Sequence, residues 1–344
     1  WIMIREGSIR RDLKKIVPLV LSHGIYKNRL MFCSDGLDPS DVSHIGHIDH
    51  CVRESIKLGM NPIDAISIAS KNCFDYYKMG NELGGIGPGK IADMLILDDY
   101  KKIKINKVIL GGKIVVSNGK ILQRIHSPKI PNWITKTVKL PKIAPKHFEI
   151  KSKNVSESVN LISMKTEIVT KKSTAHLDVK NSNVVSSHDK DIWKVAALDR
   201  TFGSKTKTVG FLENFGSDVG AFASTWSFHE NDMIVIGSNE KDMADAANKL
   251  IKSQGGIIVV KNGKTLASLP FQMGGIISTD PIDKVTKNFT KINDVLLDTG
   301  CKFKKPHLIP LFLPFLALPD IRILLSLIHI SEPTRPRLIS YAVF

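Results

Sequence analysis

The sequence is poor in cysteine and in aromatic residues. Its four cysteines lie far apart and form no Cys-x-x-Cys pair, and aromatic residues make up 7% of the chain. The first scarcity argues against a disulfide framework or a structural zinc site and fits a reducing cytosol. The second argues against nucleic acid as a partner despite a net charge of +16, because the basic residues have no aromatic stacking platform among them. The excess of lysine therefore indicates a solvated basic surface.

Signals for secretion are also missing. The apolar start at residues 1–4 gives way at once to Arg5 and Glu6, which is too short for a signal core. We expect a cytoplasmic protein with no membrane partner. Because the first residue is Trp1 and a strand pattern is already under way there, we expect the chain to begin inside a domain. An apolar fraction of 42% leaves a sizeable core for two or three domains.

The first 35 residues have the pattern of a parallel α/β structure. Residues 1–4 are typical of the end of a buried strand, Ser8 is placed as a helix N-cap, and residues 9–22 have helical spacing. A second apolar strand at residues 29–34 ends on Asp35. Barrel enzymes keep their chemistry at the carboxyl ends of such strands. An eight-stranded barrel takes about 250 residues, so we expect most of any such barrel to precede Trp1.

Asp35 is the first candidate for chemistry. A carboxylate at a strand end can ligate a divalent ion through one oxygen and move a proton with the other. The alternative is that Asp35 caps the turn into Gly36, as aspartate before glycine commonly does. The spacing of the residues alone favours the turn-capping role of Asp35.

Three histidines follow at intervals of three: His44, His47 and His50. Two of them could contribute to a metal site, but partly exposed histidines at a helix start are the preferred interpretation, since no His-x-His or His-Glu-x-x-His pattern occurs. The glycine-rich residues 84–89 precede a strand and do not lie between a strand and a helix. They therefore indicate a turn and not a phosphate loop.

The remainder of the chain predicts a small β-structure, a linker and a second domain. Residues 84–127 contain a strand and a hairpin, and residues 128–156 are rich in proline and lysine, which predicts a linker across the surface. Residues 157–324 alternate strands and helices, as in an α+β domain. Within it, His229, Glu230 and Asp232 could form an acid/base or metal group, although a polar turn before a strand is somewhat favoured. Residues 325–344 resemble a translated sequencing adapter, so we expect them to be an artefact and not part of the fold.

Several segments together resemble one family. In the first part, Met-Ile-Arg-Glu-Gly-Ser, Met-Phe-Cys-Ser-Asp and Gly-His-Ile-Asp, at residues 3–8, 31–35 and 46–49, strongly resemble the later part of bacterial adenine deaminases of the amidohydrolase superfamily. Residues 85–98 belong to the same resemblance. The second domain is similar to that family's C-terminal domain at residues 216–225, 235–243, 255–260 and 315–319.

The resemblance implies the end of a metal-dependent TIM-like barrel beside part of an interrupted β-sandwich, followed by the C-terminal domain. It implies hydrolysis of adenine to hypoxanthine and ammonia, as in purine salvage or adenine catabolism, with manganese or iron as a binuclear centre and a homodimer as the assembly. Asp35 matches the carboxylate after the last barrel strand, which contacts metal and moves protons. Arg5 and Glu6 could line the mouth of the pocket, and His47 could assist near Asp35. An ordinary ion pair or a helix-start role is the alternative for these three.

This chain departs from the family pattern at three points. Gly36 stands where the family commonly has a second acid. Residues 228–232 read Phe-His-Glu-Asn-Asp where the family commonly has His-Asp-Ser-His-Asn, so no function carries over to His229. The strands with the other metal ligands are absent, and one carboxylate does not hold a metal pair. We therefore expect the chain alone to be inactive. The alternatives are a cyclic-amide hydrolase of the same superfamily and a non-catalytic dimerisation module.

Overall fold

The computed structural model describes residues 1–123, 129–204, 206–228, 230, 232–325 and 328–330. The chain forms two compact units: the amino-terminal unit, residues 1–128, and the carboxyl-terminal unit, residues 129–344.

The amino-terminal unit opens with two parallel strands joined through a helix. Strand β1 (Ile2–Arg5) pairs in parallel with β2 (Leu30–Cys33), and α1 (Leu13–Ser22) connects them, as the apolar spacing predicted. The helix begins later than expected, and Ser8 is not its N-cap. The carboxylate of Glu6 accepts the Leu13 amide instead, at 3.2 Å.

Four short helices follow. Helices α2 (Pro39–His44) and α3 (Ile48–Lys57) are separated at Gly46, whose φ of +110° is open to glycine and strained for other residues. Asn61 caps α4 (Pro62–Ala69) by accepting the Ile63 amide at 2.9 Å. Helix α5 (Lys71–Tyr76) comes next. Apolar residues of α1, α3, α4 and the two strands form one buried cluster.

A four-stranded antiparallel sheet completes the described part of this unit. Its strands pair in chain order: β3 (Met94–Asp99), β4 (Lys104–Leu110), β5 (Lys113–Ser117) and β6 (Lys120–Ile121). The turns at residues 84–90 lead into it, as predicted for the glycine-rich segment.

The carboxyl-terminal unit begins with a short helix, α6 (Asn132–Thr135), and is built on a sheet that has nine strands in the described part of the chain. The sheet order is β15-β14-β12-β13-β10-β11-β7-β8-β9, and its pairs are antiparallel except for β7 with β11. The bounds are β7 (Ser156–Met164), β8 (Thr170–Lys180), β9 (Asn183–Val184), β10 (Ile192–Asp199), β11 (Lys207–Glu213), β12 (Ala221–Ser224), β13 (Asp232–Gly237), β14 (Gly256–Lys261) and β15 (Lys264–Pro270).

The centre of this sheet is covered on both faces. Along β13, Met233 and Val235 enter the cluster with α7 (Glu240–Ser253), while Ile234 and Ile236 enter the cluster with α8 (Ile282–Asp298). A strand buried on both faces has a continuous apolar sequence, as in β13 and β14. The short helix α9 (Ile309–Phe312) and strand β16 (Ile321–Ile323) follow α8.

The predicted linker is corrected by the structure. Val138, Leu140, Ile143 and Phe148 are buried in the cluster that contains α7, and the Ile143 amide and carbonyl both bond Asn248. Residues 138–148 therefore form part of the core of the carboxyl-terminal unit. Their lysines point outward between apolar residues, which gave the stretch the composition of a linker.

The end of the chain is described only in part. Strand β16 pairs antiparallel with β17 (Ile328–Ile330), so three of the residues that the sequence excluded as adapter-derived lie in a strand. Residues 326, 327 and 331–344 of that segment lie outside the described residues. Within the described part of the chain, no helix has both the length and the apolar character that spanning a bilayer requires.

Candidate functional site

Asp35 lies at the carboxyl end of β2, where the sequence predicted an acid. Its backbone is left-handed, with φ of +47°, and Gly36 follows with φ of +76°. Left-handed geometry is uncommon for a residue with a side chain, although aspartate adopts it more readily than most. The side chain is 56% exposed. The structure therefore presents an exposed carboxylate at the strand end, on a left-handed turn into Gly36, and its role in metal binding or proton transfer stays a prediction.

Arg5, at the end of the neighbouring strand β1, is bonded to this carboxylate. Its Nη1 donates to Asp35 Oδ2 at 2.9 Å, and its Nε donates to Asp12 Oδ2 at 3.2 Å. The hydrogen bond to Asp35 is the main cause that raises the pKa of Arg5 above its usual value. The guanidinium is thus held between two carboxylates of the same unit.

Glu6 faces the interior. Its side chain is 2% exposed; its carboxylate accepts the Leu13 amide and lies 3.7 Å from Arg11 Nη1 and 3.6 Å from His50 Nε2. The predicted role of Glu6 at a pocket mouth remains a prediction. The contacts in the structure join the end of β1 to the start of α1 and to α3.

The three histidines have different contacts. His44 ends α2, where its Nδ1 donates to the Ser40 carbonyl at 2.8 Å, while His47 precedes α3 and places Nε2 3.5 Å from Ser34 Oγ. His50 lies in the first turn of α3 against Glu6. His47 is the one whose contact reaches the residue next to Asp35, so it remains the candidate for assistance there.

The donor set does not make a metal site by itself. An exposed carboxylate such as Asp35 is suitable for a divalent cation. Among the described residues, however, no group of three His, Cys, Asp or Glu side chains could hold a metal ion. Catalytic metal sites need several ligands in a fixed geometry, so the described residues do not fit the metal centre that the resemblance implies.

A cavity of about 560 Å³ lies elsewhere in the amino-terminal unit, between the helices and the small sheet. Its walls are mostly apolar and include Val52, Phe74, Leu83 and Leu97; Asp35 is not among them. Two carboxylates, Asp49 and Asp93, also line it, and none of the described lining residues is Lys, Arg, His or Cys.

The polar turn before β13 in the carboxyl-terminal unit is partly described. His229 and Asn231 lie outside the described residues, and Glu230 accepts the Leu316 amide at 3.3 Å. Asp232 is 4% exposed and lies opposite Asp199 of β10. Burial, followed by the charges of Asp199 and Glu230, raises the pKa of Asp232 to about 7.

Asp199 and Arg200 at this position were not singled out from the sequence. Burial raises the pKa of Asp199, but hydrogen bonds from Ser204 Oγ and from the Phe202 and Thr201 amides outweigh it and lower the pKa overall. Arg200 is buried and donates to the Gly274 carbonyl at 3.0 Å. The sequence contains one signal for them, an Asp-Arg pair at the end of an apolar strand. Burying charged groups costs free energy unless they are paired and hydrogen-bonded.

Comparisons with known proteins match two separate segments of the chain. Residues 3–115 match the sequence profile of the amidohydrolase family, and residues 167–325 match that of the adenine deaminase C-terminal domain. The chain is 52% identical over 326 residues to an adenine deaminase of Cenarchaeum symbiosum (strain A), which covers 95% of this chain and 54% of the relative.

Two bacterial adenine deaminases are also similar. The one from Desulforamulus reducens is 32% identical over 333 residues, covering 96% of this chain and 57% of the relative. The one from Clostridium botulinum (strain ATCC 19397 / Type A) is 31% identical over 326 residues, covering 94% and 54%. Similarity thus extends beyond the bacterial enzymes of the original resemblance, and the chain spans about half the length of these relatives. Residues 3–115 are thus similar to the amidohydrolase family, and residues 167–325 are similar to the C-terminal domain of adenine deaminases.

Proposed function

We propose that this chain provides the carboxyl-terminal half of an enzyme that hydrolyses adenine to hypoxanthine and ammonia. The observation that carries the proposal is 52% identity, across 95% of the chain, to a protein named adenine deaminase. The adenine deaminase C-terminal domain at residues 167–325 supports the same substrate. We further propose the division into a barrel remnant (1–83), part of a β-sandwich (84–127) and the C-terminal domain (157–324).

Asp35 is the residue that we propose for proton transfer. In the hydrolysis, water forms a bond to the purine carbon that carries the amine, and the bond from that carbon to nitrogen breaks to release ammonia. A proton must leave the water and another must reach the departing nitrogen. A carboxylate at a strand end, half exposed and on a fixed turn, suits that transfer. Arg5 is bonded to Asp35, so we propose that it orients the carboxylate at the mouth of the site.

A metal would supply activation of the attacking water by lowering its pKa. Manganese or iron is proposed from the resemblance, with Asp35 as one ligand and the others from outside the described residues. We also propose substrate contacts from Glu6 and His47, a homodimeric assembly, a cytoplasmic location and a role in purine salvage. These proposals rest on the resemblance and not on contacts in the described residues.

The test uses a full-length enzyme in which this chain forms the carboxyl-terminal half and the Cenarchaeum symbiosum relative supplies the amino-terminal half. We call it the joined enzyme. Ammonia release from adenine is measured for the unmodified protein and for Asp35→Ala. Loss of the carboxylate is expected to lower kcat by about 10²–10⁴-fold, the usual contribution of a general acid or base.

The matched control is Asp64→Ala, which removes a half-exposed carboxylate of the same unit that pairs with Lys27. It is expected to leave kcat within about twofold, since exposed ion pairs contribute little. Full turnover with alanine at position 35 would refute the role of Asp35. A cyclic amide offered as an alternative substrate tests the runner-up activity; hydrolysis of the amide without deamination of adenine would replace the proposed reaction.

A further inference from the structure

We infer that Glu6, Gly7 and Ser8 form a bracket that fixes the direction of Asp35, and that Gly7 and Ser8 are positioning residues for the proposed reaction. The inference deepens the proposed role of Asp35 and rests on it. Neither Gly7 nor Ser8 needs to touch the substrate. Their effect is exerted through the backbone of the turn at residues 34–38.

The bracket is bonded to the turn on both sides of Asp35. The Glu6 amide donates to the Cys33 carbonyl at 2.8 Å, and the Ser8 amide donates to the Gly36 carbonyl at 3.0 Å. These two bonds continue the pairing of β1 with β2 beyond the strand ends. Asp35 is therefore flanked by two fixed points of the backbone, one before it and one after it.

Gly7 lies between those two bonds at the closest approach of the two segments. A Cβ built on Gly7 would lie 2.4 Å from the carbonyl oxygens of both Ser34 and Asp35, and 3.0 Å from that of Gly36. The nearest atoms are backbone, so they cannot swing aside as a flexible side chain could. Only glycine lets the bracket lie this close to the turn.

Ser8 fixes the far side of the turn with its side chain. Its hydroxyl accepts the Asp38 amide at 2.7 Å and donates to Asp41 Oδ2 at 2.5 Å. Asp41 Oδ2 also accepts from Arg11 Nη2 at 2.9 Å. The hydroxyl that the sequence predicted as a helix cap therefore ties the bracket to the residues that follow Asp35.

The turn needs this support because it is left-handed at two successive residues, Asp35 and Gly36. An exposed side chain on such a turn gains little packing of its own, so its direction follows the backbone. Sparsely populated backbone geometry persists where the surroundings determine it. Here the surroundings are the carbonyls and amides that the bracket contacts.

The experiment uses the joined enzyme with Gly7→Ala, Ser8→Ala and Ser8→Thr. Gly87→Ala is the matched control, because Gly87 has no left-handed φ and an added Cβ would make only ordinary contacts, at 3.9 Å, with Lys90. Steady-state kcat and KM for adenine are measured together with amide hydrogen exchange at residues 6, 8 and 35–38. Asp35→Ala is measured in parallel.

Gly7→Ala is expected to lower kcat by about 100-fold, as a misplacement of about 1 Å can, with KM changed by less than about threefold. Exchange at residues 6, 8 and 35–38 should accelerate, while Gly87→Ala should change neither quantity. Ser8→Ala is expected to lower kcat by about tenfold, with the hydroxyl of Ser8→Thr restoring most of it. If Gly7→Ala does not fold, the comparison of Ser8→Ala with Ser8→Thr tests the positioning role of the bracket.

Faster exchange with an unchanged kcat would overturn the bracket as a positioning device. So would equal kcat values for Ser8→Ala and Ser8→Thr, because the hydroxyl would then have no effect. A separate result applies to the proposed function: if Asp35→Ala keeps full activity, the role of Asp35 fails irrespective of the bracket variants.

Discussion

The two units differ in how completely they bury their own apolar residues. In the carboxyl-terminal unit, the central strands have both faces covered, and Val195, Ala196 and Ala197 are each fully buried in succession. In the amino-terminal unit, apolar side chains of the parallel strand β1 and of the small sheet stay exposed: Met3 is 56% exposed, Leu110 is 53% exposed and Ile121 is 63% exposed. The carboxyl-terminal unit has what an independent domain requires, whereas the amino-terminal unit leaves surface that a folded protein normally covers.

The largest expected effect comes from separating the two units. Residues 129–325 expressed alone should unfold in one cooperative transition, because their clusters lie within the unit. Residues 1–128 expressed alone should be poorly ordered before Gly84, since the free edges of the parallel pair β1–β2 lack neighbours among the described strands. Thermal unfolding measures the cooperativity of the carboxyl-terminal piece, and amide exchange measures the order of the amino-terminal piece. Strong protection across residues 29–34 in the isolated amino-terminal piece would contradict the comparison.

A smaller but still large effect is expected at Lys194, which is buried in the carboxyl-terminal unit. Its Nζ donates to Glu240 Oε1 at 2.6 Å, to Asn183 Oδ1 at 2.9 Å and to the Phe148 carbonyl at 3.0 Å. Burial lowers the pKa of Lys194, and the hydrogen bond to Glu240 partly restores it. Lys194→Ala leaves these acceptors without their cation and should cost about 3–5 kcal/mol of unfolding free energy.

Denaturant unfolding of residues 129–325 measures that loss. Lys261→Ala is the control, because Lys261 pairs with the exposed Asp218 at 2.8 Å on the surface of the same unit. It should cost about 0–1 kcal/mol. Equal losses for the two variants would show that burial of the Lys194 pair has no energetic consequence.

The third effect is a pH dependence in the carboxyl-terminal unit. The folded pKa of Asp232 is raised to about 7, so the folded state binds a proton that the unfolded state releases near pH 4. The contribution of Asp232 to stability is therefore highest at low pH and falls as pH rises from about 4 to about 7. The full difference amounts to roughly 2–4 kcal/mol.

Asp232→Asn isolates this contribution, because an amide stays neutral at every pH. Unfolding midpoints of residues 129–325 and of the variant are compared between pH 4 and pH 8. The variant should gain stability relative to the parent as pH rises, reaching a constant difference above pH 7. A constant difference over the whole range would show that Asp232 titrates normally.

The elements that were predicted from the sequence are those with a continuous or periodic apolar signal. Residues 157–324 were predicted to alternate strands and helices, and strands β13 and β14 and helices α7 and α8 lie within that segment. Strands β7 and β8 were not predicted, because Ser, Thr and Lys occupy many of their positions and one face is exposed. Residues 138–148 were assigned by composition, although apolar residues recur between the lysines.

The candidate site divides in the same way. Asp35 was recognised because the carboxyl end of a strand is a local signal. The contacts of Gly7 and Ser8 were not predicted, since their partners lie about 30 residues away along the chain and are brought near only by the pairing of β1 with β2. Close approach between two backbones leaves no mark in a single sequence beyond the glycine itself.

The parallel pairing of β7 with β11 has a consequence for how the large sheet is assembled. Leu161 lies opposite Phe211, about fifty residues later, whereas hairpins such as β14–β15 join neighbours in the chain. Forming such a long-range contact costs loop-closure entropy before the contact itself stabilises the chain. The β7–β8 ribbon is thus expected to join the sheet late in refolding, and substitutions at Leu161 should alter the unfolding rate more than the folding rate.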